Sequence, residues 1–283
     1  MFKENELLAK HTTFKVGGPA RFYAEVENFP ELVQILSFAK KNKLKTFVIG
    51  WGSNVLFSDK GFDGLIINLK MSNCLVKENK IIADAGMPLS KFLNVLSEAS
   101  FEGLEFLAGI PGTIGGAVCM NAGQGSSSVS EFIKKVWVID PAGKKKILPK
   151  SKCKFDYRKS IFLGKNNIIL KVEFELKKGD SSKIKEHIKS ILRKKMERQP
   201  YDYPSAGSFF KNPEGQFAAK LIDEAGCKGV QVGEAQVSQK HANFIINLGI
   251  AKSSDIQKLA KLVAQKVYKK FKVKLEPEVQ IIQ

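Results

Sequence analysis

The spacing of apolar residues along the chain predicts alternating strands and helices. Residues 22–26 and 46–49 read as strands and 30–41 as a helix with Pro30 near its first turn, a small β-α-β unit that runs out at Gly50. Residues 65–69 and 81–83 read as further strands, and 88–100 as a helix whose Leu89, Phe92, Leu93 and Leu96 share one face. Strands over 136–139 and 145–148 flank a Pro141-Ala142-Gly143 turn, and 168–176 alternates as a half-buried strand does. A charged, solvent-facing helix is predicted over 182–198 and is broken by Gln199-Pro200-Tyr201-Asp202-Tyr203-Pro204. Beyond the break, 217–225 reads as a helix closed by Gly226 and 243–247 as a buried strand. Ser254 with Gln257 forms a capping box for a helix whose Ile256, Leu259, Val263 and Val267 make a core stripe. Residues 273–282 then read as a closing strand that carries Glu278. The pattern predicts an α+β chain with parts at 1–60, 61–178 and 199–283.

Two glycine-rich segments interrupt that pattern. In the first, an apolar strand breaks into Gly50-Trp51-Gly52-Ser53-Asn54, which sets backbone N–H groups beside hydroxyl and amide side chains and makes an anion cradle. The second runs from Gly109 through Pro111, Gly112, Thr113, Gly115 and Gly116 to Asn121 and Gly123, where missing Cβ atoms let backbone approach a ligand. Neither is a standard nucleotide fingerprint: Gly50-Trp51-Gly52 lacks the third glycine of a Rossmann turn, and no glycine precedes the Lys-Ser or Lys-Thr of a P-loop.

Three further segments hold chemically capable side chains: Asp156-Tyr157-Arg158-Lys159, Gly207-Ser208-Phe209-Phe210 and Glu276-Pro277-Glu278-Val279. Singly, each has an ordinary explanation as a surface ion pair, a turn hydroxyl or an exposed strand acid. Together they supply a fixed cation, a hydroxyl proton donor and a carboxylic acid. That trio suits hydride addition to an unsaturated carboxylate, whose enolate needs a cation at its carboxylate and an acid at its carbon.

The net charge of +18, with lysine-rich runs at 144–146 and 183–198, raises nucleic-acid binding as a rival, but the basic residues are spread along the chain without an accompanying motif. A solvated lysine-rich surface explains them, and no nucleic-acid partner is expected. With 43% apolar residues, no stretch of membrane-spanning length and no secretion-signal pattern over residues 1–6, a cytoplasmic protein without membrane contact is expected. Cys74, Cys119, Cys153 and Cys227 show no paired spacing and His11, His187 and His241 are scattered, so no metal is expected.

The run His11-Thr12-Thr13-Phe14-Lys15-Val16-Gly17-Gly18, the two glycine loops, and the Tyr157-Arg158, Gly207-Ser208 and Glu278-Val279 pairs stand in the order seen in UDP-N-acetylenolpyruvoylglucosamine reductases, which the chain resembles over nearly its whole length. The resemblance implies a two-subdomain FAD-binding fold of the vanillyl-alcohol-oxidase type over 1–60 and 61–178 and a C-terminal substrate domain over 199–283. It implies FAD held without a covalent bond by Gly50, Gly52, Ser53, Asn54, Gly109, Pro111, Gly112, Thr113, Gly115, Gly116, Asn121 and Gly123. NADPH would reduce that flavin, and an enolpyruvyl ether of a UDP-linked sugar would then accept the hydride. Arg158, Ser208 and Glu278 would be the catalytic groups. Tyr157, Lys211, Asn212, Lys228 and His241 would bind the substrate, in a monomer.

The chain departs from the family in three places. Gln124-Gly125-Ser126-Ser127-Ser128 replaces the Ala-Tyr-Gly and acid of many relatives, and Gln280 stands where many have arginine. The interval of 50 positions from Arg158 to Ser208 matches the shorter class without a tyrosine-bearing lid. An FAD-dependent oxidase of a small alcohol or sugar is the alternative on the same fold.

Overall fold

The computed structural model describes residues 2–140, 142–164 and 167–283, so Met1 and Pro141 of the predicted turn lie outside the described residues. The chain divides into two compact units: one holds Tyr23–Gly50 and Gly64–Lys195, the other Glu4–Phe22, Trp51–Asp63 and Met196–Gln283. The division falls inside the first glycine loop, between Gly50 and Trp51.

In the first unit, α1 (Phe29–Lys41) starts where the Asn28 side chain accepts the Glu31 N–H, and it buries Leu32, Ile35, Leu36 and Ala39. Strand Lys45–Ile49 pairs in parallel with Phe62–Leu69, which lies between it and Pro19–Val26. The strands of the predicted β-α-β unit are therefore not neighbours. The inserted strand is buried on both faces, as a central parallel strand must be. An antiparallel five-stranded sheet follows in the order Lys145–Pro149, Ile133–Ile139, Ile168–Glu175, Lys80–Asp84, Cys74–Lys77. Helix α2 (Leu89–Glu98) lies on it through Phe92, whose ring centroid is 5.1 Å from that of Phe174, and the short α3 (Ile114–Cys119) packs on the same strand. Helix α4 (Ser181–Arg198) begins in this unit and shows mostly charged residues to solvent.

In the second unit an antiparallel sheet runs Ser205–Ser208, Phe244–Asn247, Ala235–Val237, Gln231–Val232. Helices α5 (Ala218–Glu224) and α6 (Ser253–Phe271) bury Ile222, Ile256, Leu259, Val263 and Val267 in a core shared with Phe14, Leu56 and Ile245. Two expectations are corrected here. The N-terminus of α6 is not served by Ser254 and Gln257: Asp59 accepts the N–H groups of Ser253 and Ser254 at 2.6 and 3.0 Å, and Asp255 accepts that of Lys252 at 3.1 Å. The closing strand is only Gln280–Ile282, paired in parallel with Val55–Phe57, because Pro277 has no N–H to continue a ladder and the preceding segment makes one isolated bridge.

Candidate functional site

Ser208 is presented by a bulge. Ser205 pairs with Ile246 and Ser208 with Phe244, so Ala206 and Gly207 stand opposite Ile245 alone, and Gly207 takes φ +75° to allow it. Beyond the bulge, buried Asn243 clamps the chain: its backbone carbonyl accepts the Phe209 N–H at 2.7 Å, its side-chain oxygen the Phe210 N–H at 3.0 Å, and its amide donates to the Phe210 carbonyl at 2.8 Å. On the other side the Glu278 N–H donates to the Phe209 carbonyl at 2.8 Å and the Lys211 N–H to the Glu276 carbonyl at 2.9 Å. Ser208 and Glu278 thus stand on neighbouring backbone, both half-buried. The Asn54 amide donates to the Glu278 carbonyl at 3.2 Å, and the Gln280 N–H donates to the Asn54 carbonyl at 3.0 Å.

The same unit holds Lys211, Asn212, Lys228 and His241 of the expected substrate ligands, while Tyr157 lies in the first unit. Burial keeps the His241 imidazole below the usual histidine range, with the Lys228 ammonium adding to the effect. The ring packs edge-on to Phe244 at 4.7 Å, and its Nδ1 accepts the Asn243 N–H at 3.3 Å. The neutral ring in this tautomer carries its proton on Nε2 and can donate there. Lys228 pairs with Asp223 at 2.7 Å, and Lys211 with Glu276 at 3.4 Å. Asn212 commits its side-chain oxygen to the Ala218 N–H at the start of α5, at 3.0 Å.

In the first unit, Asp156 and Lys159 exchange backbone hydrogen bonds across a four-residue turn, and Arg158 in that turn sits at φ +51°. Its guanidinium donates to the Gly123 carbonyl at 2.8 Å and lies 5.0 Å from the Tyr157 ring centroid. Gly50 and the second glycine loop adjoin: a Cβ on Gly50 would stand 2.6 Å from Thr113 Oγ1. Gly115 packs on Ala85, whose Cβ would be 3.0 Å from an added Cβ, whereas the bare side of Gly116 is open, with Thr113 Oγ1 at 3.6 Å as its nearest atom.

Residues 199–282 match the UDP-N-acetylenolpyruvoylglucosamine reductase C-terminal domain, and residues 20–147 an FAD binding domain. A reductase of that name from Clostridium tetani is 43% identical over 281 residues, covering 99% of this chain and 92% of its own. One from Caldanaerobacter subterraneus is 41% identical over 279 residues, with 98% and 92% covered. The crystal structure of the Thermus caldophilus reductase superposes over 100% of both chains with a TM-score of 0.85 at 34% identity. The chain belongs to the UDP-N-acetylenolpyruvoylglucosamine reductases.

It is therefore a flavin-dependent oxidoreductase with an FAD-binding fold and a C-terminal α+β domain. The residues present fit FAD: the contact of Gly50 with Thr113 joins the two loops, and Gly116 leaves open a space that a Cβ would fill. The N–H donors at the start of α3 are taken by the protein itself. At the start of α3 the N–H groups of Ile114 and Gly115 go to the carbonyls of Met87 and Ala85, and that of Gly116 to Thr113 Oγ1 at 3.3 Å. These glycines serve by their lack of bulk. Gly52 does likewise against protein: an added Cβ would collide with the His11 carbonyl, and the Thr13 N–H donates to the Gly52 carbonyl at 3.2 Å. That contact gives the His11-Thr12-Thr13 run its physical role. The divergent segment after Gly123 forms a small hairpin, Gly123–Gln124 with Ser127–Ser128, whose tip is exposed.

Lys195 was not anticipated. It is buried, and its ammonium donates to the carbonyls of Phe106 at 3.4 Å and Ala108 at 2.5 Å, the residues that lead into Gly109. A signal existed, since Ile184, Ile188, Ile191 and Lys195 follow the i, i+4, i+7, i+11 spacing of one helix face. Burial lowers this lysine from 10.5 to about 8. Between those pH values the unfolded chain holds a proton that the folded chain has released, so Lys195 is expected to favour folding more as pH rises through this window. Denaturation of the wild type and Lys195→Met at about pH 7 and about pH 10 checks this. The wild type gains stability relative to the variant at the higher pH, and a difference that does not change with pH refutes the desolvated ammonium.

Among the described residues no helix is long and apolar enough to cross a membrane, and no group of three or more His, Cys, Asp or Glu is arranged to hold a metal. The four cysteines are free thiols, with Cys153 and Cys227 buried and Cys74 and Cys119 partly so.

Proposed function

We propose that this chain reduces UDP-N-acetylglucosamine enolpyruvate to UDP-N-acetylmuramate in the cytoplasm, with NADPH as the source of electrons, as a step of peptidoglycan precursor synthesis. Family membership supports the reading, and one observation supports its chemistry: the hydrogen bond of the Glu278 N–H to the Phe209 carbonyl ties the backbone of the acid to the residue that follows Ser208. The functional division into FAD-binding subdomains at 1–60 and 61–178 and a substrate domain at 199–283 belongs to this proposal.

The loops around Gly50 and Gly109 to Gly116 would hold FAD without a covalent bond, and the chemistry it would supply there is hydride donation toward the terminal alkene carbon. Arg158 binds the substrate carboxylate and spreads the charge of the enolate that results, since guanidinium pairs bidentately with carboxylate and stays charged. Glu278, protonated beside that carboxylate, donates a hydrogen bond to the same developing charge. Ser208 delivers a proton to the carbon that bears the carboxylate, and because a hydroxyl is a weak acid near neutral pH it requires a relay to replace that proton. His241 and Lys228 hold the nucleotide, one as a neutral donor and the other as a cation, with Tyr157, Lys211 and Asn212 completing the contacts.

The test is spectroscopic. Purified protein is expected to be yellow, NADPH to bleach it without oxygen, and the enolpyruvyl sugar nucleotide to restore the colour. Fast reoxidation by oxygen with no response to the sugar nucleotide would establish the oxidase alternative. Acid precipitation is expected to leave the colour in the supernatant. Burial raises the Cys119 thiol to about 11, so this cysteine near the loop is a poor nucleophile toward flavin. Colour retained in the pellet would overturn the non-covalent assignment.

A further inference from the structure

We infer that Asn121 is a positioning residue that holds Arg158 in place, and not a contact to the cofactor; this rests on the reading of Arg158 as the carboxylate anchor. Asn121 is 5% exposed and adopts φ +46° just after α3. Its amide is engaged at both ends: Nδ2 donates to the Asp156 carbonyl at 2.9 Å, and Oδ1 accepts the Ser130 N–H at 3.2 Å. The Asp156 carbonyl also closes the Arg158 turn by accepting the Lys159 N–H at 3.1 Å. Two residues beyond Asn121, the Gly123 carbonyl takes the Arg158 guanidinium at 2.8 Å. The segment 121–123 therefore grips the turn by its backbone and the arginine by its head group.

That double hold has a physical reason. Arg158 lies in the left-handed region at φ +51°, a conformation unfavourable for a side-chain-bearing residue, so the turn needs support from outside. Without the amide of Asn121 the backbone is free to relax toward ordinary dihedrals, and the guanidinium moves with it. A displacement of about 1 Å at a group that orients the substrate costs as much as 10²-fold in rate.

The test uses the full-length holoenzyme. Asn121→Gly tolerates the positive φ and removes both hydrogen bonds, while Asn121→Asp keeps the acceptor for Ser130 and loses only the donor to Asp156, so the fold keeps one of its ties. Both variants are expected to bind FAD with the wild-type spectrum and to bleach normally with NADPH. Reoxidation by the enolpyruvyl sugar nucleotide should slow about 10 to 100-fold, with a raised KM for that substrate alone. Adding Asn121→Gly to Arg158→Ala should change the rate by less than about 2-fold, because the arginine it serves is gone. Lost flavin or an altered spectrum in a folded variant would make Asn121 a cofactor contact. An additive effect of the two substitutions would detach it from Arg158. If Arg158→Ala alone reoxidises normally, the role of Arg158 falls and this inference falls with it, an outcome separable from failure of the Asn121 variants alone.

Discussion

Ser208→Ala and Glu278→Gln are expected to split the reaction in two. Both variants should bleach with NADPH at near wild-type rates, because neither side chain is needed to load hydride onto the flavin. Reoxidation by the enolpyruvyl sugar nucleotide should then slow by roughly 10² to 10⁴-fold, the usual cost of removing a general acid. The substitutions are mild where they are made. The backbone of Phe209, Phe210 and Glu278 is tied to Asn243, to Asn54 and across the pair itself, and both substitutions leave those hydrogen bonds in place. In deuterated solvent the wild type should place deuterium at the carbon bearing the carboxylate. The defect of Glu278→Gln should appear in hydride transfer itself. Wild-type reoxidation by both variants in rapid mixing refutes the catalytic assignment, and failed bleaching assigns these residues to the nicotinamide step or the fold.

Gly116→Val should give a folded, colourless protein. The valine methyls enter the space left open beside Gly116, where Thr113 Oγ1 at 3.6 Å is the nearest atom to an added Cβ, so the cofactor meets the obstruction before the protein does. Gly115→Ala is the contrasting case. Its Cβ would press on Ala85 at 3.0 Å from Cβ and 3.1 Å from the carbonyl, so lost stability, on the order of 1–3 kcal/mol, is expected there first. Flavin content per folded molecule, measured with thermal melting, separates the two. Full flavin content in Gly116→Val would mean that the open space lies away from the cofactor.

The local pattern of the sequence was sufficient for the helices with an apolar stripe, though not for α3, which lies inside the second glycine-rich segment. Leu32 and Ile35 in α1, and Ile256 and Val263 in α6, repeat at intervals that no other element imitates. What escaped depends on partners distant in the chain. Asp59 reaches the start of α6 across 194 positions, and Asn54 reaches Glu278 across 224, which no local signature such as Ser254 with Gln257 can anticipate. The site shows the same division. Arg158, Ser208 and Glu278 stand out in sequence by their chemistry and remain a proposal, but Asn243 reads in sequence as the first residue of a buried strand, and its clamp on Phe209 and Phe210 is visible only after folding. Glycine loops were legible as places where bulk is excluded. Whether ligand or protein does the excluding was not, and Gly52 and Gly116 turn out to differ in this respect.

The second unit is assembled from Glu4–Phe22, Trp51–Asp63 and Met196–Gln283, and its parallel ladder joins Val55–Phe57 to Gln280–Ile282. During synthesis Val55–Phe57 leaves the ribosome long before its partner strand exists, and closure of so large a loop is slow. Gly64–Lys195, by contrast, emerges as one nearly continuous piece and can organise first. Glu278 acquires its fixed backbone only once the segment through Gln280–Ile282 has emerged, so a nascent chain can own a finished first unit while it still lacks the acid.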